Sequence, residues 1–184
     1  MKIGYLPEGA TDCAVITGLR DQLCPQAELI EGTFRGSTRN RARELRRACL
    51  ELQEKGADVI VDLNDANELS WHQRRDQERQ YALPEHLPLL VVGAPEPNVE
   101  MWLIADPTAF TGRTGLDCRP RPADAKPIVE QGFQITGYDK RVAEIATFVA
   151  EANLQAWERN DNSFGGFLQE CRNMAHQLNC DLNT

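Results

Sequence analysis

The sequence predicts an α/β fold: a mostly parallel sheet of about four strands, flanked by helices, with a helical extension at the C-terminus. Three observations predict it. Strand-type and helix-type segments alternate through residues 1–93, the order that parallel strands joined by crossover helices require. The strand-type runs are short and apolar, as expected of strands covered on both faces. Two of them end abruptly in polar side chains: Lys2-Ile3-Gly4-Tyr5-Leu6 runs into Pro7-Glu8-Gly9, and Val59-Ile60-Val61 runs into Asp62-Leu63-Asn64-Asp65.

Residues 2–6 read as the first strand. Thr11-Asp12 can cap a helix to about Leu23, with Val15, Ile16, Leu19 and Leu23 on its inner face, and Pro25 stops it. Ala27 to Ile30 is a second, short strand. After the Gly32–Thr38 loop, Ser37 or Thr38 can cap a helix to about Lys55, with Ala42, Leu45, Cys49 and Leu52 at core spacing and Gly56 as its stop. Val59-Ile60-Val61 is the third strand. A polar, helical stretch runs from Glu68 to Tyr81, and Pro88 to Gly93 is the fourth strand. Asn98 can cap a short helix from Val99 to Ala105. Residues 107–137 are rich in Pro and Gly and read as an ordered excursion. A helix from Asp139 to about Leu154 follows, and a last one, capped by Asn162 or Ser163, carries Phe164, Phe167, Leu168, Cys171, Met174 and Leu178. Residues 1–106 form the core and 107–184 an extension packed on it as one folding unit.

The 184 residues suffice to bury roughly 70% of the unfolded surface without disulfide staples. Six scattered cysteines contain no C-x-x-C pair, which disfavours zinc and points to buried thiols, Cys49 and Cys171 among them, in a reducing cytoplasm. No apolar run reaches membrane-spanning length, and the opening residues turn acidic too soon for a signal peptide. The net charge of −8 disfavours a dedicated nucleic-acid binder. Yet Arg35, Arg39, Arg41, Arg43, Arg46 and Arg47 share one segment. They either meet phosphates, dock an acidic partner, or form a solvated helix face with Glu44 and Glu51.

The chemistry-bearing residues lie at the strand ends. Glu8 before Gly9 suits a tight strand-to-helix turn, where a carboxylate serves as acid, base or metal ligand. Asp62 and Asn64 project on one side if the strand continues, and Asp65 needs a turn to join them. Nearby carboxylates repel unless a cation lies between them, although an Asp-Ala-Asn loop is also ordinary turn chemistry. Glu100 and Asp106 bracket the short helix after the fourth strand. His72, His86 and His176 form no nucleophile–base pattern, and there is no Walker or G-x-G-x-x-G loop.

Together these segments resemble a Toprim-type domain. Tyr5-Leu6-Pro7-Glu8-Gly9-Ala10-Thr11-Asp12 is similar to the Toprim opening, and Val59 to Asp65 resembles the strand that delivers an Asp-x-Asp pair. Pro97-Asn98-Val99-Glu100-Met101-Trp102-Leu103-Ile104-Ala105-Asp106 and Ser163-Phe164-Gly165-Gly166-Phe167-Leu168 resemble later segments of a Toprim-like family of small bacterial proteins. That family accompanies ABC- or SMC-type ATPases in phage-defence loci. The resemblance implies a Mg²⁺- or Mn²⁺-dependent nuclease or related phosphoryl-cleaving effector, with Glu8 as general acid/base and Asp62 as metal ligand. Asn64 stands where the second Asp is expected, with Asp65 as its replacement, and Glu100 and Asp106 supply further ligands. Arg35, Arg39, Arg43 and Arg46 would contact DNA or RNA. An ATPase partner is implied, and self-association is left open. The alternatives are a non-catalytic Toprim-like sensor or assembly subunit, favoured by Asn64 and the net charge of −8, and a small-molecule phosphatase or nucleotide hydrolase on the same scaffold.

Overall fold

A computed structural model describes residues 1–33, 40–134, 137–178 and 180. The sheet is four-stranded and wholly parallel, with β1 (Lys2–Leu6), β2 (Glu28–Glu31), β3 (Val59–Leu63) and β4 (Leu90–Gly93) in the order β2-β1-β3-β4. The crossovers are α1 (Ala10–Leu23), α2 (Arg41–Glu54) and α3 (Trp71–Tyr81). The chain leaves β1 toward β2 and then returns to β3 on the other side of β1. This reversal makes the carboxyl ends of β1 and β3 the crevice where open α/β sheets place ligands. β1 and β3 pair through Ile3–Val59 to Leu6–Asp62, so Glu8 leaves one strand beside the end of the other.

Period-two alternation splits the core into two layers. Tyr5, Val59, Val61, Leu63 and Val91 pack into one with α1 and the later helices, whereas Leu6, Ile60, Leu90 and Val92 pack into the other with Leu45, Ala48, Cys49 and Leu52 of α2. The first layer is completed by α4 (Glu100–Leu103), α5 (Pro107–Thr114), α6 (Lys126–Gly132), α7 (Tyr138–Ala150), α8 (Leu154–Asn160) and α9 (Asn162–Gln177). Gly18 lets α1 approach α7 closely, because a Cβ there would stand 2.5 Å from the Ala146 carbonyl oxygen and the Val149 Cβ. No described helix is long and apolar enough to cross a membrane.

The fold class is as expected; several boundaries are not. β3 runs through Asp62 and Leu63 instead of stopping at Val61. α1 begins at Ala10 after Gly9, and Asp12 acts from inside the first turn. Leu87–Leu89 form a 3-10 turn, which shortens the expected fourth strand to Leu90–Gly93. The Pro- and Gly-rich excursion holds α5 and α6, and the single helix expected to reach Leu154 ends at Ala150, where Asn153 caps α8. Asp161, rather than Asn162 or Ser163, caps α9 by accepting from the Phe164 amide. Cys49 is buried as expected; Cys171 is only partly so. The expected Ser37 or Thr38 cap lies outside the described residues.

Candidate functional site at the β1–β3 strand ends

Two clusters meet at this edge. The first lies on the α2–α3 side. Ile60 faces that layer, so Asp62, two residues on, faces it too. Asp62 is fully buried, and its Oδ1 accepts from Arg41 Nη2 at 2.7 Å. The same guanidinium donates from Nη1 to Glu8 Oε1 at 3.1 Å and from Nε to Glu78 Oε2 at 2.8 Å. Asn64 does project to the same side as Asp62, and its amide Nδ2 donates to Glu78 Oε1 at 2.6 Å. Arg41 therefore sits as an internal cation between three carboxylates delivered by β1, β3 and α3, the fixed planar fork that suits arginine to such a position. Burial opposes its charge, but Asp62 and Glu78 outweigh burial and raise its pKa. Burial, then the Asp62 charge, push the Glu78 carboxyl up to about 7 against the pull of Arg41. Asp62 Oδ2 is buried with no hydrogen-bond partner.

The second cluster lies on the other side of the edge and is almost wholly acidic. Asp12 Oδ2 accepts from the backbone amides of Glu8 and Gly9 at 3.1 and 2.8 Å. Asp65 Oδ1 accepts from the Val99 amide at 3.0 Å, and Glu100 Oε1 accepts from Thr11 Oγ1 at 3.0 Å. Burial pushes the Asp12 carboxyl up to about 7, helped by the charges of Asp65, Glu8 and Glu100. Burial also pushes Asp65 up to about 7, with Glu100 and Glu8 adding to it and Lys126 opposing. Glu8, whose side chain is 39% exposed, links the clusters. Its carboxyl pKa is raised by burial, partly offset by Arg41.

The segments at α4 and α9 are built against each other. Trp102 is fully buried and donates from Nε1 to Ser163 Oγ at 2.8 Å, and Ser163 donates in turn to Asp161 Oδ1 at 2.6 Å. The Trp102 ring lies 5.2 Å from the rings of both Phe164 and Phe167. This packing seats the helix that presents Glu100. Asp106 goes elsewhere: its Oδ1 caps α5 by accepting from the Thr108 and Ala109 amides, both at 3.1 Å. Gly9 has no conformational necessity, since its φ of −159° is extended backbone and a Cβ there would meet only Asp12 Oδ2, at 3.9 Å.

Of the arginines singled out, Arg43 and Arg46 are exposed, and Arg46 Nε donates to the Tyr81 carbonyl at 2.7 Å. Arg35 and Arg39 lie outside the described residues. Arg47 pairs with Glu44 at 2.6 Å, as a solvated helix face would, but Glu51 pairs with Lys55 instead. Sequence reasoning missed three participants. Arg41 stands four residues before Leu45 on the apolar stripe of α2, and an arginine in line with that stripe is a readable signal of a buried charge. Asp12 follows Glu8 by one helical turn but reads as a cap. Glu78 carries no signal, because α3 has no apolar stripe and Glu78 is its sole fully buried residue.

Comparison with family models, curated proteins and solved structures finds no match for this chain.

Proposed function

We propose that this chain is a Toprim-like, metal-dependent phosphodiesterase, a nuclease or related phosphoryl-cleaving effector, acting at the edge between β1 and β3. One observation carries the reading. Glu8, Asp12, Asp65 and Glu100 meet at this edge, and burial, with repulsion among these carboxylates added to it, makes Asp12 and Asp65 hold protons up to about pH 7. Ionisable groups pushed this far by burial and by one another mark functional sites more often than structural ones.

The donors are hard oxygens of the kind Mg²⁺ and Mn²⁺ prefer, and the orphaned Asp62 Oδ2 at the neighbouring strand end is a further unsatisfied oxygen. Among the described residues no three His, Cys, Asp or Glu side chains converge on one point as a ready cage. Mg²⁺ does not need one: it is commonly bound by one or two carboxylates, keeping several waters and taking the rest from substrate phosphate. Asp65 and Glu100 would hold the ion, with Asp12 beside them, each already anchored through one oxygen by a backbone amide or the Thr11 hydroxyl. When bound, the ion neutralises charge developing on phosphoryl oxygens and acidifies a water. Glu8 is partly exposed, has a raised pKa and is oriented by Arg41, which suits it to move a proton to or from the reacting oxygen. The resemblance to the Toprim-like family supplies the rest of the reading: an ABC- or SMC-type ATPase partner, DNA or RNA as substrate, a cytoplasmic setting and a place in phage defence.

The test is Mn²⁺ calorimetry beside plasmid and RNA cleavage. Wild type is expected to bind Mn²⁺ and to nick, Glu8→Gln to bind but not nick, and Asp65→Asn to do neither. Absence of both binding and cleavage in wild type sinks the reading. The other reading, a non-catalytic subunit, is favoured by Arg41 and Asn64, which already occupy Asp62 and Glu78. Mn²⁺ binding without cleavage of any substrate would establish it instead.

A further inference from the structure

Cys24 and Cys180 are separated by nearly the whole chain, yet their sulfurs lie 3.4 Å apart. Cys24 caps the C-terminus of α1, Cys180 lies three residues past the end of α9, and each makes backbone hydrogen bonds there. The Cys24 amide donates to the Arg20 carbonyl at 2.8 Å at the end of α1, and the Cys24 carbonyl accepts from Ala27 at 2.9 Å. Beyond α9, the Cys180 amide donates to the Ala175 carbonyl at 2.9 Å. Leu23, Cys24, Met174, Ala175 and Leu178 together line an apolar groove of about 80 Å³, so burial gathers the ends of the two helices. A disulfide needs a sulfur separation of about 2.05 Å, and at 3.4 Å the two sulfurs are already in contact.

We propose that Cys24 and Cys180 are a thiol-oxidation site that a hydroperoxide converts to an intramolecular disulfide, tying the C-terminal end of the chain to α1. Cys180 is the partly exposed member and Cys24 the buried one, so the oxidant meets Cys180. The Cys180 sulfur attacks the peroxide, the O–O bond breaks, and a sulfenic acid and an alcohol (water, from hydrogen peroxide) form. The Cys24 sulfur then attacks that sulfenic sulfur, the S–S bond forms, and water leaves with the remaining proton. In sum two thiols lose two protons and two electrons, and the hydroperoxide takes up both. Burial, with the Cys180 hydrogen bond second, pushes the Cys24 thiol up to about 11. Thiolate is the attacking species, so ring closure is slow at neutral pH and accelerates with alkalinity.

The experiment treats the full chain with hydrogen peroxide, alkylates the remaining thiols and maps peptides by mass spectrometry, beside thermal melts with and without reductant. The expected result is a Cys24–Cys180 cross-link that forms faster at higher pH. It should raise Tm by roughly 5–10 °C, as closing a very long loop should, and dithiothreitol under denaturing conditions should reverse it. Cys180→Ser should remove both cross-link and Tm shift, and Cys24→Ser should leave Cys180 to over-oxidise. A cross-link mapped to other cysteines, or wild type with Cys180 over-oxidised and Cys24 still alkylatable, would overturn the proposal.

Discussion

Asp62 and Asp65 are three residues apart and end in opposite electrostatic situations. Asp62, the last inward carboxylate of β3, is fully buried and paired at 2.7 Å with an arginine that also grips Glu8 and Glu78. Asp65, one turn of loop later, has a single backbone amide on one oxygen, and burial, with the charges of Glu100 and Glu8 added to it, makes it hold its proton to about pH 7. The compensated cluster spends its carboxylates on fixing three elements to one guanidinium. The uncompensated one retains negative charge that a proton or a cation must balance. Burial raises a carboxyl in each cluster, Glu78 in one and Asp65 in the other; what differs is that a guanidinium is hydrogen-bonded among the carboxylates of the first and, in the described residues, none is among Asp12, Asp65 and Glu100 of the second.

The largest expected effect breaks the compensated side. Arg41→Ala leaves Asp62 and Glu78 buried without their cation, and urea unfolding should show a loss of about 3–5 kcal/mol. A near-neutral result would mean that the network does not hold the edge together. Next, Asp65→Asn removes one of the mutually repelling carboxylates and should stabilise the metal-free protein by about 1–2 kcal/mol at pH 8, after discounting for solvent screening. The sign follows from linkage. An acid whose folded pKa of about 7 exceeds its unfolded value of 3.8 binds more protons when folded, so its contribution falls as pH rises from about 4 to about 7. The wild-type-minus-mutant difference should therefore shrink toward zero below pH 4, and saturating Mn²⁺ should reverse it at pH 8. Asn64→Asp is of similar size and sharpens the boundary between the clusters. It replaces an amide donor to Glu78 with a like charge, so Glu78 should titrate higher in a carboxyl NMR titration, at a cost of about 1–3 kcal/mol at neutral pH. The smallest effect concerns the exposed arginines. Arg43→Glu with Arg46→Glu should change stability by no more than about 0.5 kcal/mol per site. If nucleic acid is the substrate, it should also lower the salt slope of binding by about 2.

Much of the fold was legible because its signals are local. The apolar runs at 2–6 and 59–61, the Gly56 stop and the stripe Leu45, Cys49, Leu52 each depend on neighbours within a turn or a strand, and each stands close to where it was read. The break between α7 and α8 was not legible, since the apolar spacing continues past Ala150 while the Asn153 cap ends the register. At the site, Glu8, Asp62, Asn64, Asp65 and Glu100 gather at one edge because strand ends and the switch in strand order put them there. Asp106 drops out because its side chain completes the first turn of α5.

By itself the sequence determined the parallel α/β plan, the helical extension and the concentration of carboxylates at the carboxyl ends of β1 and β3, since hydrophobic period and chain order dictate these. Only the tertiary structure decided which carboxylates are neutralised. Arg41 reaches Asp62 and Glu78 across separations of 21 and 37 residues, and Cys24 meets Cys180 across 156. A charge in a folded chain is set by what burial and packing bring within a few ångströms of it; distance along the sequence carries almost none of that information.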